Sequence, residues 1–321
     1  MYGSVLERAD IVLIQVLLRD SRASAAQIAE VTGLAEKDIP EMIARMREAG
    51  IIGDMTTKPS LNSLNARSVL VFGKSRIGTL YGLEHALERN DNVGWMAVAS
   101  GGMAYFALHL KEDADTDAEV RRAASQTMMA QPRALTRNLF EHGWGRHVYT
   151  PDDMRILKSL NRDSNKDLGR VAKESGSNIG KVRERFDLMS GRGALDFSVD
   201  FFPDSCDNLL TMLRLEVVEP RGLEEKVAML MEMNAPYLMY FNTFQESPRT
   251  VMSMAIPENL AGLRAILRNF EDSGAFGQVE ADLLISSKIR DTWRDRSIRG
   301  LEGVRTMRTT RQGRPGIPDI D

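Results

Sequence analysis

Three observations predict an α+β chain in which small helical units alternate with mixed sheet units. The sequence repeats itself at a constant offset of 143 residues, each copy opens on apolar residues spaced near 3.6, and each then runs into segments that alternate apolar and charged residues. With 321 residues, the chain is long enough for two or more domains at ~100–200 residues each. The longest apolar stretches, Ile11 to Ile14 and Val69 to Phe72, fall far short of the roughly 18 residues that span a bilayer, and the start of the chain shows no signal peptide. Cys206 is the only cysteine, which excludes an intrachain disulfide and a cysteine-rich zinc site and fits a reducing, cytoplasmic setting. His85, His109, His142 and His147 are scattered without metal-clasping spacing, so no metal and no cofactor is expected. The net charge of −3 means that any nucleic-acid reading must rest on local basic surface rather than on overall charge.

The internal duplication carries the domain organisation. Residues 10–52 fall on 153–195 without a gap: Asp10 on Asp153, Leu13 on Ile156, Ile14 on Leu157 and Leu17 on Leu160. Arg19-Asp20-Ser21 falls on Arg162-Asp163-Ser164 residue for residue, Gly33 on Gly176, Met46 on Met189 and Gly50 on Gly193.

Each copy follows the order of a winged helix-turn-helix. In the first, Ile11, Ile14, Leu17 and Leu18 form a helical stripe, and Ser24 is placed to cap a short second helix over 25–31. Gly33 supplies a left-handed turn that glycine adopts at least cost. A third helix follows with Ile39, Met42, Ile43 and Met46 on its buried face, Asp38 as its cap, Pro40 in its first turn and Glu41 completing a capping box. Residues 51–58 read as a short β-wing. The second copy repeats this with helices over 154–160 and 168–174, a turn at Gly176, a third helix from Asn178, and a wing over 194–201. The plain alternative is a pair of generic three-helix packing modules with no DNA to read.

Residues 66–145 and 207–290 then suit a β-α-β-β-α-β order, that of a ferredoxin-like domain. In the second of these, Leu213, Leu215 and Val217 alternate with Arg214 and Glu216 in a strand over 209–218. An amphipathic helix over 223–233, a hairpin of 236–244 with 250–255, a helix over 258–270 and a strand over 276–285 complete it. In the first, strands over 68–72, 95–99 and 103–110 and helices over 78–89 and 116–129 keep the same order. Ser100-Gly101-Gly102 is the hairpin turn, and the last strand is not assigned. The expected domains are therefore 1–62 and 150–205 (winged helix), 66–145 and 207–290 (α+β), and a basic, flexible tail over 291–321. The fold class is tandem winged helix-turn-helix domains, each followed by a ferredoxin-like βαββαβ domain.

This succession resembles the Lrp/AsnC (feast/famine) transcription regulators of bacteria and archaea. The likeness is carried by residues 6–10 (Leu-Glu-Arg-Ala-Asp), 17–22 (Leu-Leu-Arg-Asp-Ser-Arg), 29–34 (Ala-Glu-Val-Thr-Gly-Leu) and 43–52 (Ile-Ala-Arg-Met-Arg-Glu-Ala-Gly-Ile-Ile). Members of that family carry one such unit and dimerise through the second domain, so this chain looks like two units fused. The resemblance implies a cytoplasmic, non-enzymatic regulator that binds double-stranded DNA. It also implies an intramolecular pseudo-dimer able to form further homo-oligomers, no membrane association, and a small effector such as an amino acid. The hairpin residues Ser100, Gly101, Gly102, Phe244 and Arg249 lie where family members approach that effector.

Helix-turn-helix proteins place the third helix in the major groove, with residues near its N-terminus on base edges and flanking cations on phosphates. The two copies are unequally equipped for this. Residues 35–50 carry Lys37, Arg45 and Arg47 against four carboxylates, whereas residues 177–192 carry Lys181, Arg183, Arg185 and Arg192 against two. The expected DNA contacts are therefore Asn178, Lys181, Arg183 and Arg185, with Arg170 and Lys173 on backbone phosphate and Lys37, Arg45 and Arg47 as weaker contributors.

From Lys288 to Arg314, nine basic residues face Asp291, Asp295 and Glu302, and Trp293, Ile298 and Leu301 suggest a short amphipathic helix within that basic arm. The methionines Met229, Met231, Met233, Met239, Met252 and Met254 read as core filler. Two further readings compete. One is an interaction scaffold whose readers have lost DNA, which the acidic first recognition helix favours. The other is an enzyme on the same scaffold: the sirohaem decarboxylases resemble Lrp/AsnC proteins and work as two related units. The histidine- and arginine-rich active-site segments of those enzymes are not found here, and His109 stands alone on its expected strand.

Overall fold

The computed structural model describes residues 5–138 and 147–300. Three helices open it: α1 (Arg8–Arg19), α2 (Ala25–Thr32) and α3 (Ile39–Glu48), followed by strand β1 (Ile52–Pro59). Then come β2 (Arg67–Ser75), α4 (Leu80–Ala86), β3 (Val93–Ala99), β4 (Met103–Leu110), α5 (Thr116–Gln126) and β5 (Met129–Thr136). The order starts again with α6 (Pro151–Leu160), α7 (Leu168–Ser175), α8 (Ile179–Gly191) and β6 (Leu195–Phe201). It closes with β7 (Thr211–Val217), α9 (Leu223–Met233), β8 (Leu238–Thr243), β9 (Thr250–Ala255), α10 (Leu260–Asp272), β10 (Phe276–Ile289) and α11 (Trp293–Arg299).

The strands β2–β5 and β7–β10 form a single eight-stranded sheet in the order β5-β2-β4-β3-β10-β7-β9-β8. Each half has its chain-order strands arranged 4-1-3-2. The halves join through β10, whose first part pairs antiparallel with β7 and whose end pairs with β3. At the far end β5 answers in kind: Arg137 bridges Phe244, and the Asn138 amide donates to the Thr243 carbonyl at 2.9 Å. The last strand of each half thus runs on to meet the second strand of the other.

Alternation along the strands divides the apolar residues between two layers. On the outer faces, Val69, Val71, Phe106 and Leu108 pack on α4 and α5, and Leu213, Leu215 and Val251 pack on α9 and α10. The inner faces meet each other through Leu70, Phe72, Tyr105, Leu135, Met212, Phe244 and Met252. Among the methionines expected as core filler, Met239, Met252 and Met254 are buried, whereas Met229 and Met233 on α9 are exposed.

Several sequence expectations change here. The residues expected to form two separate wings make one two-stranded antiparallel ribbon instead, β1 against β6, with Met55 opposite Val199 and Thr56 opposite Ser198. A lone edge strand exposes unpaired amides and carbonyls, and each wing strand finds its partner in the other copy. The unassigned last strand of the first sheet half is β5. The tail expected to begin at 291 is docked as far as Gly300. Ile298 is buried against α6, α7 and α8 residues, Trp293 Nε1 donates to the His109 carbonyl at 2.7 Å, and Arg294 reaches Asp196 at 2.7 Å. Residues 301–321 lie outside the described residues, and with them Glu302, Leu301, Arg305, Arg308, Arg311 and Arg314.

Candidate nucleic-acid interface

The three-helix units are held by the same local devices. In α1 the third residue, Asp10, accepts from the Glu7 amide at 3.1 Å; in α6 its counterpart Asp153 accepts from the Thr150 amide at 2.8 Å. Both carboxylates are buried, and each takes an arginine from the third helix of its own unit. Arg45 reaches Asp10 at 2.5 Å, and Arg185 grips Asp153 through Nε at 2.8 Å and Nη2 at 2.6 Å. Burial works to raise the Asp153 carboxyl, but Arg185 and the Thr150 amide outweigh it and hold the group below the ordinary carboxylate range. Asp153 in turn holds the Arg185 guanidinium charged. Asp152 and Asp153 are thus helix-start residues rather than an acid/base pair.

The second helices end alike, on Gly33 and Gly176, both left-handed with φ of 72° and 67°. Nothing stands within 4 Å of a Cβ at either position, so the backbone conformation alone calls for glycine there.

The third helices differ where a duplex would approach. At α8 the Asn178 side chain accepts from the Lys181 amide at 2.8 Å, which caps the helix. Val182 and Met189 face inward with no exposure, while Ile179, Gly180, Lys181, Arg183 and Arg192 are exposed. Lys181 pairs with Asp152 and holds that carboxyl below its usual range, and Arg183 has no partner among the described residues. On α7, Arg170 is held by Glu174 at 3.0 Å and Lys173 is exposed. At α3 the expected capping box is not formed: Asp38 has helical backbone angles and its side chain makes no cap bond. Glu36, Lys37, Asp38 and Glu41 all stand exposed at that helix start. Arg47 is exposed near the other end, and Arg45 is committed to Asp10. Of the residues expected on DNA, the structure therefore brings Asn178, Lys181 and Arg183 to one exposed helix end and gives Arg45 and Arg185 structural partners. Their pairing follows from a buried carboxylate one helix away, which no local sequence pattern shows.

The units meet across an approximate two-fold axis. Ser21 and Ser164, equivalent positions of the repeat, are both fully buried, with their hydroxyls 2.9 Å apart. Arg22 donates to the Ser164 carbonyl, and its counterpart Asn165 donates to the Ser21 carbonyl at 3.1 Å. Equivalent residues can touch each other in this way only close to a symmetry axis. The ribbon is centred on the same axis.

The residues expected at an effector lie on the β3–β4 and β8–β9 hairpins. Phe244 is 1% exposed and fills the core between the sheet halves. The Ser100 hydroxyl accepts from the Leu283 amide at 3.0 Å, and Gly101 and Gly102 shape the hairpin turn with positive φ. Arg249 is exposed on the turn between β8 and β9. Two open grooves, of about 630 and 420 Å³, run along the ribbon instead, and Lys58, Asp200 and Ile289 line both. The His109 ring packs over Gly94. Burial, with Arg294 and Arg137 nearby, pushes its pKa down to about 3. Among the described residues, no group of three histidine, cysteine or acidic side chains is placed to hold a metal, and no helix is long and apolar enough to cross a membrane.

No family model matches the chain. Among curated proteins it is similar to the HTH-type transcriptional regulator FL11 of Pyrococcus furiosus, 38% identical over 52 residues. The same-named regulator of Pyrococcus abyssi is 39% identical over 51 residues. Each match covers 16% of this chain and 34% of the relative, so the chain spans about a third of the length of these curated relatives. Among solved structures, the siroheme decarboxylase NirDL superposes with a TM-score of 0.62 at 13% identity, covering 91% of this chain and 97% of its own. The E. coli AsnC structure gives a TM-score of 0.39 at 13% identity, over 46% of this chain and 98% of its own. The chain thus has the mixed α+β fold of the siroheme decarboxylase over most of its length, and over 52 residues it is similar to a protein named as an HTH-type transcriptional regulator.

Proposed function

We propose that the chain is a sequence-specific DNA-binding transcription regulator of the Lrp/AsnC type, built as two fused winged-helix units that form an intramolecular pseudo-dimer. The observation that carries this reading is the exposed start of α8, where Asn178, Lys181 and Arg183 stand at the end of a capped helix. The positive end of the helix dipole lies there too, favourable to phosphate. At the offset of the repeat, α3 is the counterpart of α8, and Ser21 and Ser164 bring the two units together. A two-fold pair of readers suits two half-sites about one helical turn apart. The short similarity to FL11, named as a transcriptional regulator, supports the same reading. The chain is assigned no catalytic residues. A small effector has the ribbon grooves available beside the hairpin residues.

The test is a salt titration of binding to duplex DNA from the chain's own promoter region. Log affinity is expected to fall against log salt with a slope of about −3 or steeper, as release of several counterions demands. Affinity that is flat in salt, or indifferent to sequence, overturns the proposal.

A second reading, a sirohaem-decarboxylase-like enzyme, is favoured by the superposition on NirDL across 91% of the chain. Against it, the space between the sheet halves is filled by Phe72, Tyr105, Phe244 and Met252. Titration with an iron porphyrin separates the two: a shifted, saturable absorbance band belongs to the enzyme reading alone.

A further inference from the structure

Arg22 stands in the turn between α1 and α2, one residue beyond the on-axis Ser21, and its side chain leaves its own unit. One guanidinium nitrogen donates to the Ser164 carbonyl. The guanidinium carbon lies 4.8 Å from the ring centre of Phe186 and 5.7 Å from that of Phe197. Phe186 is a residue of α8, and its neighbour Arg185 is bound to Asp153. The helix is therefore gripped from two sides, by its own unit through Arg185 and by the other unit through Arg22.

The equivalent position of the second unit holds Asn165. Its amide donates to the Ser21 carbonyl at 3.1 Å and approaches the Met55 sulfur at 3.1 Å, with no aromatic ring involved. At the offset of the repeat, the positions of the two rings are taken by Ile43 and Asp54. The exchange of side-chain hydrogen bonds to the two serine carbonyls is symmetric, but the contact of a cation with aromatic faces exists on one side only. Burial works against the charge of Arg22, while Asp20 and Asp163 support it. A planar guanidinium suits this place, because it stacks on rings while its edge donates to a carbonyl.

We propose that Arg22 is a positioning residue: the first unit uses it to fix the orientation of α8, and so sets the register in which the second unit meets its target. The consequence for DNA rests on the regulator reading; the lock itself is a property of the protein alone. The full chain carrying Cys206→Ser, with spin labels at Glu48→Cys on α3 and Asp187→Cys on α8, reads it directly. Both label positions are exposed. Pulsed electron resonance should give one narrow distance distribution. It should broaden in Arg22→Ala and in Arg22→Met, which keeps the stem, and narrow again in Arg22→Lys. Distributions unchanged by Arg22→Ala and Arg22→Met overturn the lock. In selection from random duplexes, the parent chain should enrich two half-sites at fixed spacing, and Arg22→Ala should keep the half-site while relaxing the spacing. If the parent chain enriches nothing, the regulator reading fails while the label distances still decide the lock.

Discussion

The two three-helix units share an interior and differ on the surface. Inside, both bury an aspartate at the third position of the first helix and satisfy it with an arginine from the third helix, though Arg45 and Arg185 sit a turn apart at the offset of the repeat. Outside, α8 begins on a capping asparagine with Lys181, paired with Asp152, and Arg183 exposed beside it, while α3 begins on an uncapped aspartate with Glu36 and Glu41 nearby. Packing constrains what lies against a core, because a cavity or an unpaired buried charge costs several kcal/mol. The solvent face tolerates change within a few tenths. One scaffold can therefore carry two different helix surfaces, which the proposed function makes a strong and a weak reader.

The largest effect should come from the surface contrast. On the proposed regulator reading, Lys181→Ala with Arg183→Ala removes two DNA contacts worth about 1–3 kcal/mol each. Fluorescence anisotropy on duplex DNA should show affinity falling about 30-fold or more. Lys37→Ala with Arg47→Ala should cost far less, and equal losses would erase the distinction between the readers. The interior contrast comes next. Asp153→Ala leaves Arg185 without its bidentate partner at a site with 20% exposure, and should lower the stability measured by urea unfolding by about 3 kcal/mol. Asp10→Ala frees an Arg45 that is already 53% exposed and should cost about 1 kcal/mol. A larger loss from Asp10→Ala would show that the units are not built as described. The smallest effect concerns pH. His109 binds a proton near its ordinary pKa when unfolded, but only near about 3 when folded. Between those values the unfolded state holds more protons, so this group lowers stability as pH falls through that window and is silent above it. Imidazole NMR should show His109 neutral at pH 5, and protonation near pH 6 would place it in a wetter site.

Much of this architecture was legible in the chain. The glycine turns at Gly33 and Gly176, the Ser24 cap and the strand over 103–110 all rest on local chemistry, and the structure places each of them as read. What escaped depends on partners remote in sequence. The wing strands pair with each other across more than a hundred residues, so periodicity could describe each strand but not its mate. The positive composition after Lys288 suggested a loose arm. Yet Arg294, Arg296 and Arg299 are held by Asp196, Asp91 and Asp291, and Lys58 pairs with the buried Asp295 at 2.6 Å. Asp38 looked like a cap because its residue type and spacing fitted, but the chain enters α3 already in helical geometry and leaves that side chain nothing to accept.

The serine pair on the axis joins two points of one polypeptide. In an assembly of separate chains such a contact dissolves on dilution, because mass action separates the partners. Here the covalent link keeps the partners at high effective concentration whatever the abundance of the protein. The two three-helix units of this chain therefore meet without the help of a second molecule.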